Sequence, residues 1–409
     1  MSIKLIAMIS ISLVCLLGGS CAPARGFDGS LKSIVKPYRF SMVGWGFRTI
    51  PCEVKRLVFD RHEKVEDKVH AVTEYFSLVE QIKTLNSTIK AINFGDEHGD
   101  LASLQAELDE LESQRTALED KVVRIIVEEI KETLAQQGII NPFDKYIRLK
   151  FNFLPIGFKL EQPPHILVVS PRDRIESRRE IVLQQSISLE EMEAIETEVD
   201  ELGVSSLVVE LGGFAGTYPS FVTDDASLRF VLDTATEEWL HKYLAFTPLG
   251  FRYLLDLTGI SRDYEIATMN ETVASMVSKE IGSIVYGRYY PGNGDGDSKE
   301  QPADSKFDFN HDMREIRRTV DEYLARGEIE QAEEFMGQKR QYLASMGYHI
   351  RKLNQAYFAF HGTYADSPTS ISPIGVELKQ LRSQSTTLKD FLDTVAVMTN
   401  RQDLRASVE

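Results

Sequence analysis

The amino-acid sequence predicts a mainly helical α+β protein, and three stretches carry that prediction. Val65, Val69, Val72, Phe76 and Val79 recur at helical spacing, and after a polar break at residues 93–100 the seam resumes at Leu101, Leu104, Leu108, Leu111, Leu118, Val122 and Ile125. Short apolar or alternating runs over 146–211 read as strands. Beyond Asp225 helical patterns dominate nearly to the C-terminus.

Taken in order, the chain opens with a charged start at Lys4, an uncharged and largely apolar run over 5–17, and then Gly18, Gly19 and Ser20. That order is the one of a secretory signal, and Ala22-Pro23-Ala24 fits an A-x-A cleavage site. Residues 17–21, ending at Cys21, also look like an imperfect lipobox, so 1–24 is expected to be a signal peptide or a membrane or lipid anchor. The run is short for a membrane span, which needs about 20 residues. Cys15 and Cys21 lie in this segment and only Cys52 lies beyond it, which excludes a disulfide framework and any cysteine-based zinc site.

The two seams joined by a short polar loop predict an antiparallel helical hairpin of coiled-coil type over 54–137, ended by Gly138 and Pro142. Ile147, Leu149, Phe151 and Phe153 alternate with polar residues, 166–169 is a short apolar run, and 181–183 lies in another extended stretch. Ser188 opens a helix through Leu202, with Glu191 placed for a capping box. A buried strand over 206–211 then enters the glycine-rich stretch Gly212-Gly213-Phe214-Ala215-Gly216. Helices are expected at 227–246, 250–257 and 263–289, completing a unit over 145–290. Residues 291–308 read as a linker, in which Asn293, Asp295 and Asp297 only loosely imitate a calcium loop. A C-terminal helical lobe over 309–409 is expected to hold helices at 309–326, 328–360 and 375–399.

With 62 acidic against 46 basic residues and a formal charge of −16, the chain repels phosphate backbones, so nucleic acid is excluded as a partner. There is no Gly-x-Ser-x-Gly elbow, P-loop or dinucleotide fingerprint. His70, His98 and His165 are isolated and read as surface residues.

The stretch that can carry chemistry is Glu237-Glu238-Trp239-Leu240-His241. Glu237 and His241 are four apart and project from one helix face, while Glu238 lies one step around, able to reach a water held by the other two. Trp239, Tyr243 and Leu244 read as core residues of the same helix. Glu271, in Asn270-Glu271-Thr272-Val273-Ala274 on the next long helix, is the candidate third ligand.

These two motifs resemble the H-E-x-x-H and N-E-x-x-A pair of gluzincin zinc peptidases, the thermolysin and aminopeptidase group. The likeness covers 205–289, with Glu237 where the family has His and 29 residues between His241 and Glu271. It implies one zinc ion on Glu237, His241 and Glu271, and Glu238 as general base. It implies an edge strand for a peptide substrate at 206–211 with its glycine-rich sequel. It also implies an oxyanion-stabilising Tyr or His from the C-terminal lobe, for which His361 and Tyr364 are the candidates and His361 is taken as the catalytic one. The expected function is that of an exported, envelope-located peptidase acting on a peptide or protein substrate. The alternative is a non-catalytic envelope scaffold or peptide-binding pseudo-peptidase whose hairpin engages partner helices.

Overall fold

The computed structural model describes residues 26–40, 65–94, 99–142, 154–291 and 307–409. The export segment, His98, the alternating run 147–153 and the loop with Asn293, Asp295 and Asp297 lie outside the described residues.

The architecture is mainly helical with two small sheets. Helix α1 (Phe27–Val35) comes first, an element without a sequence signal strong enough to be expected. Helices α2 (Val65–Phe94) and α3 (Leu101–Gln136) follow as the antiparallel hairpin, tied near its base by Lys68 Nζ to Glu128 at 2.6 Å. The Asp100 side chain caps α3 by accepting from the amides of Ala102 and Ser103. The seam is deeply buried at the base, through Val72, Tyr75, Val79, Val122, Ile126 and Ile130. Towards the tip only Ile82 and Leu108 are buried among described residues 80–118, because two helices alone shield a single stripe.

Strands β1 (Phe158–Leu160), β2 (His165–Pro171) and β3 (Arg179–Leu183) precede helix α4 (Leu189–Asp200), whose Ser188–Glu191 capping box forms as the sequence indicates. Strands β4 (Val204–Glu210), β5 (Gly213–Phe214) and β6 (Ser220–Val222) complete the β elements. One sheet runs β3-β2-β4, antiparallel throughout, and the other runs β1-β6-β5 with β1 parallel to β6. The first sheet packs one face on α1 and α4, through Leu31, Val35, Leu167, Val169, Ile195 and Val208. His165 is therefore no surface residue: it sits 3% exposed on β2, with Nδ1 3.1 Å from the Gln184 carbonyl.

Helices α5 (Leu228–Leu244), α6 (Pro248–Leu257) and α7 (Tyr264–Tyr289) then form the centre of the molecule. Each starts on a side-chain cap, from Ser227, Thr247 and Asp263 respectively. Trp239, Tyr243 and Leu244 are core residues, as their pattern indicates, and Trp239 Nε1 donates to the Leu154 carbonyl at 3.2 Å.

The C-terminal part is more finely divided than its periodicity implies. Helices α8 (Phe309–Ala325) and α9 (Ile329–Ser345) pack as a pair, and the expected continuous helix over 328–360 breaks where Gly347 adopts φ 90°. Asn354 then caps α10 (Gln355–His361), which covers the other face of the first sheet. The stretch 375–399 likewise splits into α11 (Pro373–Gln384) and α12 (Leu388–Ala396), because Ser385 turns extended and Thr387 with Asp390 makes a new capping box. Helix α13 (Arg401–Val408) closes the chain. No helix among the described residues is long and apolar enough to cross a membrane.

One buried cluster runs through the hairpin base, α5, α7 and the C-terminal helices α11 to α13, joining residues as distant as Val72, Trp239, Val273 and Phe391. The residues expected to carry chemistry sit at the edge of this core.

Candidate metal centre

Helices α5 and α7 lie antiparallel, Asp233 meeting Gly282 near one end and His241 meeting Glu271 near the other. Arg229 Nη2 reaches the Lys279 carbonyl at 2.8 Å, Asp233 packs on Gly282, and His241 Nε2 stands 3.6 Å from Glu271 Oε2. Glu237 lies one turn before His241 on the same face, so all three side chains meet between the two helices. Glu237, His241 and Glu271 each offer a donor atom within 4.8 Å of the other two, the only such His, Cys, Asp or Glu group among the described residues. Zn–N and Zn–O bonds of about 2.0–2.1 Å at a tetrahedral angle place donor atoms about 3.4 Å apart. The His241–Glu271 pair is already near that separation.

The chemistry of the donors fits a cation. Glu237 Oε1 is buried with no hydrogen-bond partner, an arrangement costly for a polar atom unless a further group satisfies it. Burial pushes the Glu237 carboxyl up to about 8, and the nearby negative charge of Glu271 adds to it. The Glu238 carboxyl is pushed well up by burial and then by Glu237, with Lys242 pulling the other way. A cation between the carboxylates would oppose both shifts.

Glu238, one step around α5 from Glu237, lays its carboxylate against Gly213 of strand β5. Lys242, one turn further on α5, is buried, donates to Ser220 Oγ at 2.7 Å, and has its ammonium pulled down to about 8 by that burial.

Strand β4, over the expected edge strand 206–211, and β5 in its glycine-rich sequel both lie at sheet edges but differ in what lies along them. The outer edge of β4 is already occupied, since Glu196 and Asp200 accept from the amides of Val208 and Ser206, while Arg351 and Asn354 donate to their carbonyls. The opposite edge of that sheet is covered by Tyr38 and Phe40, bonded to Gln184 and Val182. In β5, the Gly212 carbonyl accepts from Thr223 on the β6 side, so by strand alternation the N–H and C=O of Gly213 point away from β6.

Tyr253 bonds to one of the converging side chains, Tyr364 is close enough to feel the charges of their carboxyls, and His361 lines a different cavity. That cavity, of about 280 Å³, is also lined by Tyr264, Thr268 and Arg317, and His361 packs on Tyr357 with ring centroids 4.3 Å apart. Tyr364, three residues later, has its phenol pushed well up by burial and then by the charges of Glu271, Glu237 and Glu238. A clamp holds it there: Thr272 Oγ1 donates to the Thr363 carbonyl at 3.1 Å and accepts from Ala365 N at 2.9 Å, tying the backbone on both sides of Tyr364 to α7 one residue from Glu271. Tyr253 of α6 donates its hydroxyl to Glu271 Oε1. Glu180 on β3 adds a further carboxyl, pushed up by desolvation, pulled back by its Ser177 hydrogen bond and raised again by the charge of Glu271. The sequence gives no sign of Tyr253 or Glu180, since neither lies at a motif spacing from the metal-donor residues.

No protein-family model matches the chain, and neither a curated protein nor a solved structure matches it. Any reading of the site rests on its own residues.

Proposed function

We propose that this protein is an exported, zinc-dependent peptidase of gluzincin type. Glu237, His241 and Glu271 hold one ion, and Glu238 is the general base. The observation that carries this reading is the convergence of the three donors from two helices, across 29 intervening residues. A zinc ion held there would supply Lewis acidity towards a scissile carbonyl. Glu238 takes a proton from the attacking water and passes it to the departing amine nitrogen. A substrate strand added to Gly213 would run beside Glu238, with main-chain hydrogen bonds giving affinity independent of side chains. The neutral Tyr364 phenol is a hydrogen-bond donor suited to a developing oxyanion.

Zinc stoichiometry and peptide hydrolysis test this together. His241→Ala should abolish bound zinc. Glu238→Gln should keep the zinc and lose about 10²–10⁴-fold in turnover, since a base is needed for chemistry and not for coordination. Glu237→His should bind zinc at least as tightly as the natural chain. Wild-type protein that carries zinc without hydrolysing any peptide would support the non-catalytic scaffold in its place, and wild-type protein that takes up no zinc would end the metal reading.

A further inference from the structure

The 29 residues between His241 and Glu271 include a whole extra helix, α6, and its placement is tightly fixed. Pro248 occupies its first turn, Thr247 caps it while donating back to the Leu244 carbonyl at 2.7 Å, and α6 thereby starts directly off the end of α5. At the far end Asp256 Oδ1 accepts from Asp263 N at 2.7 Å, and Asp263 itself caps α7. Both ends of α6 are thus tied to the two helices that bear the candidate ligands. From this helix the Tyr253 hydroxyl donates to Glu271 Oε1, while Glu271 Oε2 is the oxygen that faces His241. The Tyr253 ring lies 6.4 Å, centroid to centroid, from the His241 ring, on the same side of the cluster.

We infer that Tyr253 is a positioning residue that holds Glu271 as a one-oxygen ligand. This rests on the metal reading above. A carboxylate with both oxygens free binds a cation through one or two of them, and the choice sets the coordination number. With Oε1 engaged by the phenol, only Oε2 is presented to the ion, which leaves room in a four-coordinate site for a water. The inserted helix is then a functional part of the centre, since it supplies the outer hydrogen bond that fixes the orientation of a ligand.

The test uses the full-length protein carrying Tyr253→Phe, which removes the hydroxyl and keeps the ring. Zinc affinity is measured by chelator competition, cobalt(II) substitution reports coordination number through its visible absorption, and thermal unfolding is followed without metal. The variant should bind zinc about 10–100-fold more weakly. Its cobalt form should lose visible intensity as Glu271 becomes a two-oxygen ligand, and the unfolding midpoint of the metal-free protein should stay within a few degrees of wild type. Unchanged affinity and an unchanged cobalt spectrum, in a protein where His241→Ala has lost its metal, would overturn the role of Tyr253 alone. Weaker binding accompanied by a large drop in the metal-free midpoint would also overturn it, as a packing effect. A wild-type protein that binds neither zinc nor cobalt would overturn the metal reading, and the inference with it.

Discussion

A β-carbon placed at Gly213 would fall inside the van der Waals envelope of both the Glu238 carboxylate and the Thr234 methyl. Only glycine lets strand β5 approach helix α5 closely enough for Glu238 to lie against it. Gly213→Ala should therefore displace the Glu238 side chain, lowering hydrolysis at least tenfold while zinc content stays at the wild-type level, with about 1–3 kcal/mol of stability lost to overpacking. Equal turnover in the variant and the wild type would show that Glu238 does not act from this position. The same scale separates what the sequence reveals of the site from what it hides. Glu237 and His241 are legible because a four-residue step on a helix fixes their common face. His361 and Tyr364 are equally plausible by composition, and the Thr272 clamp on Thr363 and Ala365 selects Tyr364. No local pattern encodes that clamp, since its partners are about 91 residues apart.

Among the elements, the junction of the hairpin with α7 holds a buried carboxyl. Glu129 on α3 is 6% exposed and accepts from the Tyr290 hydroxyl at 2.6 Å, just past the end of α7. Burial pushes its carboxyl from 4.5 up to about 7, with the Tyr290 hydrogen bond opposing the shift. The folded state thus retains a proton between those two values that the unfolded chain has released. Stability from this group is full below pH 4.5 and is lost as pH rises through about 7. Glu129→Gln keeps an acceptor for Tyr290 and should flatten that part of the profile, stabilising the protein at pH 8 by on the order of 2 kcal/mol. Chemical denaturation at pH 5 and pH 8 measures it, and an identical pH dependence in the two proteins would refute the assignment. A second buried carboxylate, Glu196, is paired with both guanidinium nitrogens of Arg351 at 2.6 and 2.9 Å and also accepts the Val208 amide. It shows how α4 and the C-terminal part seal the edge of β4, which leaves β5 as the strand lying beside Glu238.

For the whole molecule, the hairpin is rooted in the common core at its base and reaches outwards as two helices. Lys68 opposite Glu128, and Gly99 set against both Ile92 and Leu104, give a register that pairs Ile92 with Leu104 near the tip. Cysteines at Ile92 and Leu104 should cross-link readily, whereas Ile92 with Leu118, two heptads further on, should not. Efficient reaction of the second pair would mean that the register is wrong. Export is a proposal at the same scale: fractionation with N-terminal sequencing should place the mature chain outside the cytoplasm, and an intact cytoplasmic chain starting at Met1 would defeat it.

The mainly helical α+β class, the hairpin, the Ser188 capping box and the three central helices follow from the sequence by itself, because helical period, caps and polar breaks are local and repeat within each element. The sequence also determines that Glu237 and His241 share a face. It does not determine that Glu271 meets them, that α6 delivers Tyr253 to the Glu271 carboxylate, or that β5 lies against Glu238 while side chains occupy the outer edge of β4. Those outcomes depend on the antiparallel packing of α5 on α7 and on side chains that reach across the fold to seal one strand and clamp one loop. Such contacts join residues far apart in the chain, and only the burial of the common core brings them together.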